Sequence, residues 1–250
     1  PAIPTGRLAA ITSNDVSNYL TKVKGLENEQ NTPSPNIADK DWMKHVIHFG
    51  GGNGVGQQNS FSAYLNSYET IIEDTCFGGF VHEVFKNSSD VITNDLSETI
   101  TGWINHGVSL ITFFGHSTAQ GFDVSLDDPE FYNNVNKYPM FIANGCQSGN
   151  IHNYVSLSGS ASENFVLATN AGAIGFLAST DLGLEGPLHA YCTRMYKNIG
   201  QKNYGKSIGT CIKATIQDYQ TSAPNSFELK SVCHEMSLHG DPSIVINSHD

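Results

Sequence analysis

Three short apolar runs, each followed at once by glycine, asparagine or serine, constrain this chain more than any other feature. Residues 108–114, 139–143 and 173–178 are almost uninterrupted in Val, Leu, Ile, Phe, Met and Ala. A strand with one wet face alternates polar and apolar residues, whereas runs this continuous belong to strands buried on both faces. A fourth run, 45–49, leads into Gly50, Gly51 and Gly52. Between them lie stretches of helical spacing. One starts at Ser13 or Asn14 as cap and runs to Leu26, with Val16, Tyr19, Leu20 and Val23 on one face. Another covers 60–85 and is broken near Gly78 and Gly79. A third covers 97–106, with Ile100, Trp103 and Ile104 on one face. Further helical stretches end at 163–170 and cover 187–198 and 205–219. Residues 28–39, with Pro33 and Pro35, read as a loop, 90–92 as a short strand and 243–246 as the closing strand. Strand–helix–strand alternation with such strands predicts an α/β chain whose parallel sheet is covered on both faces.

Composition narrows the functions such a fold can serve. The 250 residues leave room for one large domain or two small ones. With 13 basic against 24 acidic residues the net charge is −11, which excludes nucleic acid and anionic membrane surfaces as main partners. Thirteen Phe, ten Tyr and a charged fraction of only 15% mark a folded chain. No run of 18 apolar residues exists, so no membrane insertion is expected. The chain opens Pro1-Ala2-Ile3-Pro4 without a methionine or a basic-then-apolar leader, and the expectation is a single domain, 1–250, excised from a longer chain.

In parallel sheets ligands bind beyond the carboxyl ends of the strands. After the first strong run comes Gly115-His116-Ser117-Thr118; after the second, Asn144-Gly145-Cys146; after the third, Ser179-Thr180-Asp181. A thiol and an imidazole at neighbouring strand ends are the parts of a cysteine nucleophile and its base. Gly115, Gly145 and Gly149 leave backbone N–H groups open toward a developing oxyanion. The other cysteines, Cys76, Cys192, Cys211 and Cys233, are widely spaced with no C-x-x-C pair, so neither a zinc ribbon nor a redox pair is expected.

These stretches resemble the gingipain family of cysteine peptidases. Gly115-His116-Ser117 after one strand and Ala143-Asn144-Gly145-Cys146 after the next carry the likeness. So do Ile3-Pro4-Thr5-Gly6-Arg7-Leu8 near the start, residues 173–180, and Gly240-Asp241-Pro242-Ser243 near the end. The matches are in order and span residues 3 to 246. The resemblance implies a three-layer α/β/α caspase-like fold with a mostly parallel central sheet, here the second, catalytic part of the family's peptidase region. It also implies Cys146 as nucleophile, His116 as base, and the backbone N–H groups of Ser117 and Cys146 at the oxyanion. Protein or peptide substrates, other domains of the same parent chain as partners, and export to the periplasm, cell surface or medium follow from the same likeness. Its members include secreted proteases and the sortase-like subunit of type IX secretion. No cofactor is required, although exported members often bind a structural calcium.

Three departures matter. Ser117 stands where the family has glycine, and the stretch 49–57 holds no carboxylate to orient the histidine. An amide, Asn53 or Gln57, is the expected substitute, as in papain-like enzymes. The acid that selects basic residues is also missing, since Asn59-Ser60-Phe61-Ser62 occupies its place. Cleavage after Arg or Lys is therefore not inferred. Asn53, Gln57, Asn144, Thr180 and Asp181 are expected to line the pocket, with Glu185 near Asp181. The reading is a cysteine-type peptidase or transpeptidase domain; the alternative is a pseudoenzyme, a non-catalytic binding or scaffold domain of an exported protein.

Other patterns are weaker. His234-Glu235 and His239 lack the two-histidine helix spacing of zinc peptidases and read as a polar turn. His45 and His48 fall on opposite faces of a strand. Gly50 to Gly56 lacks the Lys-Ser/Thr of a phosphate loop and reads as a loop bordering the site. Asp123, Asp127, Asp128 and Glu130 read as a solvated acidic loop, or as ligands of that calcium.

Overall fold

Six strands pair into one sheet in the order β2-β1-β3-β4-β5-β6, parallel throughout except that β6 runs antiparallel to β5. In this computed structural model, residues 3–74, 76–86, 94–124, 126, 128–152 and 159–247 are described. The strands are β1 (His45–Gly50), β2 (Phe80–Phe85), β3 (Leu110–Phe114), β4 (Met140–Asn144), β5 (Gly175–Ser179) and β6 (Met236–Gly240). The helices are α1 (Ser13–Asn31), α2 (Val55–Ile72), α3 (Asn94–His106), α4 (Ala161–Leu167), α5 (Glu185–Lys197), α6 (Ile208–Ser222) and α7 (Phe227–Glu235).

Every residue of β3, β4 and β5 is buried, as strands covered on both faces require. On one face lie α2, α5, α6 and α7, packed on each other and on the sheet. His48 and Thr112, paired across β1 and β3, both reach the Tyr196 hydroxyl of α5, at 2.8 and 2.6 Å. The opposite face is covered by α1 and α4, and by α3, whose Trp103 stacks on His82 of β2 at 4.3 Å. The result is the three-layer α/β/α sandwich expected, its core centred on stacked Phe141 and Phe176, 4.4 Å apart.

Four local expectations are corrected. The helical spacing of 60–85 ends at Ile72, after Phe61, Leu65, Tyr68 and Ile72 have been buried, and 80–85 is a strand. Helix α1 is capped one residue earlier than expected, by Thr12, which accepts from Asp15 N while Asp15 accepts from Thr12 N. Its inner face is Tyr19, Lys22, Val23, Leu26 and Gln30, whereas Val16 and Leu20 are half exposed. The Lys22 ammonium is buried among the carbonyl oxygens of Phe165, Val166, Ala168, Ala171 and Ala173, at 2.6 to 3.5 Å, and so stands in for a cap on α4. Residues 243–246 are no strand. Gly240, at φ 120°, turns the chain out of the sheet, and Ile244 and Ile246 are buried without strand pairing, near the start of α6. The last strand is β6, whose outer edge takes one backbone bridge from Arg7. His234 lies in α7 and His239 is buried in β6, so the expected polar turn is a helix running into a strand. The expected strand at 90–92 lies outside the described residues.

Candidate active site

Register brings three strand ends level. Gly50 of β1 pairs with Phe114 of β3, and Phe114 with Asn144 of β4; each is the last residue of its strand. The pairing extends one residue further, through Gly51 N to Phe114 O at 2.9 Å and Gly115 N to Asn144 O at 3.1 Å. His116 and Cys146 therefore each stand two residues beyond a register pair, on loops leaving adjacent strands.

The imidazole is tied on one side. His116 Nε2 lies 3.0 Å from Gln57 Oε1, in the first turn of α2. The same oxygen accepts the Asn53 N–H at 3.1 Å. An amide oxygen can only accept, so the ring proton sits on Nε2 and Nδ1 is left as the basic nitrogen. Phe61 packs edge-on against the ring, with centroids 6.0 Å apart.

Cys146 is half buried, its sulfur 3.9 Å from Gly183 O. Among the described residues no hydrogen bond joins that sulfur to the His116 ring. The turn behind it is strained: Gln147 has φ 58°, a left-handed conformation rare for a residue with a side chain. Gln147 N donates to Asp181 O at 2.9 Å and Gly149 N to Ser179 O at 2.9 Å, so the end of β5 holds this turn. Ser117 Oγ donates to Cys146 O at 2.7 Å. A Cβ on Gly145 would stand 2.3 Å from that hydroxyl, which is why position 145 needs glycine. The Ser117 side chain thus ties the two loops together. The backbone N–H groups of Ser117 and Cys146 donate to no other group among the described residues. The other thiols sit differently. Burial pushes Cys192 and Cys211 up to about 12 and Cys233 up to about 11, while Cys76 lies on an exposed turn.

Two of the residues expected to line the pocket are buried. Asn144 is buried and points at α5, its Nδ2 donating to Phe113 O at 3.2 Å and lying 3.4 Å from Cys192 Sγ. Thr180 is also buried, its N–H given to Glu235 O at 3.0 Å. Asp181 contributes its backbone carbonyl to the cysteine turn while its side chain is exposed. Asn53 is exposed and contributes its N–H, and Glu185 accepts from Tyr64 OH at 3.0 Å.

The residue missed in the sequence is Asp123. Its Oδ2 accepts from Gly52 N at 2.7 Å and its Oδ1 from His116 N at 3.2 Å, while its own N–H donates to His116 O at 2.8 Å. It is thus no part of a solvated acidic run. A Cβ on Gly51 would stand 2.0 Å from Oδ1 and one on Gly115 2.5 Å from it. Those two glycines, one in each loop, were the available signal. Asp128 caps the turn at 129–131 through Glu130 N, and Asp127 lies outside the described residues. Among the described residues no three His, Cys, Asp or Glu side chains gather to hold a metal ion, and no helix is long and apolar enough to cross a membrane.

One solved protease structure superposes with a TM-score of 0.76 at 14% identity, over 98% of this chain and 56% of its own. The Arg-specific cysteine proteinase gingipain R superposes with a TM-score of 0.68 at 14% identity, over 96% of this chain and 54% of its own. The separase–securin complex of Saccharomyces cerevisiae gives 0.51 at 12% identity, over 88% of this chain and 13% of that one. At these identities the likeness is one of fold, the caspase-like sandwich. This chain spans little more than half the length of the first two. No curated protein sequence matches it. The profile of Peptidase family C25 matches residues 1–247, and the chain accordingly belongs to that family, the gingipain family of cysteine peptidases.

Proposed function

We propose that this domain cleaves peptide bonds with Cys146 as nucleophile and His116 as base. The observation that carries this reading is the bond from His116 Nε2 to Gln57 Oε1, which fixes the ring's tautomer and reserves Nδ1 for the thiol proton. In the reaction the Cys146 proton passes to Nδ1 and the sulfur adds to the substrate carbonyl carbon. The oxyanion takes hydrogen bonds from the free backbone N–H groups of Ser117 and Cys146. Collapse breaks the C–N bond, and the imidazolium returns its proton to the leaving amine. Water, deprotonated by the same nitrogen, then releases the acid and regenerates the thiol. An amine arriving in place of water makes the step a transpeptidation.

In place of the acid expected near the histidine, Gln57 supplies a neutral acceptor, which holds the ring without adding charge. The substrate class is protein or peptide, with no preference for Arg or Lys proposed. Export to the periplasm or cell surface, by type IX secretion among other routes, and further domains in a parent chain complete the reading by analogy with the family. A non-catalytic scaffold is the second reading, favoured by one observation: the Cys146 sulfur faces Gly183 O and makes no hydrogen bond to the imidazole. Labelling with a peptidyl electrophile that traps thiolates decides between them. We expect labelling of the wild type, none of Cys146→Ala, and peptide turnover lost in His116→Ala. Equal labelling of wild type and Cys146→Ala, without turnover, would leave the scaffold.

A further inference from the structure

A closed ring of hydrogen bonds surrounds the candidate base, and only one of its members is a carboxylate. Starting at the His116 ring, Nε2 meets Gln57 Oε1 at 3.0 Å, and that oxygen takes the Asn53 N–H at 3.1 Å. One residue back, the Gly52 N–H is held by Asp123 Oδ2 at 2.7 Å. The other oxygen of Asp123 returns to the His116 backbone N–H at 3.2 Å. The ring thus runs from the imidazole through the loop after β1 and back to the histidine's own main chain.

The carboxylate that closes it has a prepared seat. Two N–H groups, from loops leaving adjacent strands, point at its two oxygens. Gly51 and Gly115 flank it, and a Cβ on either would fall within 2.5 Å of Oδ1. Its chain neighbour Phe122 is anchored on Phe113, at 4.7 Å between centroids, and stacks on Phe141 at 5.7 Å. Ser117 and Phe122 form a backbone bridge, so the segment carrying Asp123 folds back onto the histidine's own loop. A carboxylate half-buried between two N–H donors makes charge-assisted bonds, shorter and stronger than neutral ones. Without it, both donors lose their partner where little solvent replaces it.

We propose that Asp123 is a positioning residue for His116. It clamps the loop after β1 to the loop after β3, so that Gln57 and the imidazole meet at hydrogen-bond distance and the ring keeps its proton on Nε2. It touches neither the substrate nor the ring and acts through the backbone alone. This assignment rests on His116 serving as the base of the proposed peptidase, but its geometric content is independent of turnover. It also accounts for one glycine of the stretch after β1: Gly51 admits the carboxylate side chain and Gly52 gives it an N–H, in the place where a phosphate loop would admit a phosphate.

The test combines kinetics with the nitrogen NMR shifts of the His116 ring, assigned by loss of its signals in His116→Gln. The variants are Asp123→Asn, which keeps the volume and one acceptor oxygen, Asp123→Ala, and Gly51→Ala, which evicts the carboxylate from the opposite side. We expect wild type to show one tautomer, protonated on Nε2, and Asp123→Ala and Gly51→Ala to show a mixture, with Asp123→Asn between. In the same variants kcat should fall about 10–100-fold while KM stays within about twofold, the signature of a misplaced base rather than a lost substrate contact. Retention of the single tautomer in folded Asp123→Ala would overturn the assignment. So would a rise in KM at constant kcat, or failure of all three variants to fold, which would make Asp123 a residue of the fold alone. If wild type turns over no peptide yet its tautomer is fixed and Asp123→Ala scrambles it, the peptidase reading fails and the positioning role stands.

Discussion

The two ends of the sheet hold histidines in opposite circumstances. Beyond the carboxyl ends, one imidazole meets the oxygen of a neutral amide, which can only accept, and its second nitrogen has no protein partner among the described residues. At the amino ends of β1 and β2, imidazoles meet each other. His45 Nδ1 lies 2.9 Å from His82 Nε2, and the His106 ring is 5.9 Å from that of His45. Asp41 Oδ1 lies 3.5 Å from His106 Nε2. Burial, and then repulsion from His45 and His106, push His82 down to about 4. His45 is lowered too, by burial first and by His106, with Asp41 opposing. A cluster of imidazoles is therefore poorer ground for a base than a single one with the right neighbour. In the cluster each facing nitrogen is consumed by the other ring, and each proton taken up is resisted by the next.

The largest expected effect separates the two ends outright. His116→Ala should lower kcat/KM on a peptide substrate about 10²–10⁴-fold, the range of a lost general base. His45→Ala at the other end should leave it within about twofold. Comparable losses from both would break the comparison and turn the difference into one of stability. Next comes the neighbour itself. Gln57→Leu removes the acceptor that holds the ring when it becomes imidazolium, a charge-assisted bond worth about 1.5–3 kcal/mol, or roughly 10–100-fold in kcat. Gln57→Glu restores an acceptor and should recover most of that loss, read as kcat against pH. An unchanged kcat in Gln57→Leu would show that the tautomer needs no such partner.

How much of this was legible in the sequence depends on how local each signal is. β3, β4 and β5 stood out because burial on both faces leaves few polar residues to interrupt the run, and their ends fell within two residues of the expected ones. β2 was hidden because it is an edge strand, with Phe80 58% exposed and little of it fully buried, so its residues read as the tail of a helix. The strand expected at 243–246 rested on Ile244, Val245 and Ile246, and two of these are buried without pairing. At the site, His116 and Cys146 could be placed at strand ends because their strands are so clear. Gln57 was within reach because it starts a helix after a glycine-rich loop. Asp123 was not, since its partners lie in two separate loops and its seat is made by side chains that glycine lacks. A neighbouring run of acids gave it an ordinary explanation.

Acid sharpens the comparison at the amino end. In the unfolded chain His82 titrates near its ordinary 6.5, and in the folded protein near 4. Between those values the unfolded state binds more protons, so this histidine's contribution to stability is complete above pH 6.5 and is lost as pH falls toward 4. The ring is only partly buried, and solvent screening reduces the full linkage to about 1–2 kcal/mol. Thermal midpoints followed from pH 7.5 to 4.5 should therefore fall less steeply in His82→Asn than in wild type. Parallel slopes would remove the mutual repulsion of the cluster from the argument.

The smallest expected effect tests what holds the carboxyl end together. The Ser117 hydroxyl ties the histidine loop to the cysteine loop through Cys146 O at 2.7 Å. Ser117→Gly deletes one neutral hydrogen bond, a loss of about 0.5–1.5 kcal/mol in stability, because the freed carbonyl is near enough to solvent to find water. Turnover should stay within about threefold, since the N–H of residue 117, the group proposed to face the oxyanion, survives the change. The coupling is the sharper measurement. Gly145→Ala alone drives a Cβ to 2.3 Å from the serine hydroxyl, and the carbonyl of Gly115 stands 3.0 Å away on the same side. With Ser117 already glycine, the nearest obstacle is gone, and what remains is that carbonyl and the Phe113 ring at 3.1 Å. The double variant should therefore be more stable than the sum of the two single losses predicts, with the excess read from denaturant midpoints. Strict additivity would mean that the serine swings away at no cost. The hydroxyl would then have no part in holding the two loops, and the ring of bonds around His116 and the backbone bonds of Gln147 and Gly149 to the end of β5 would brace this end of the sheet without it.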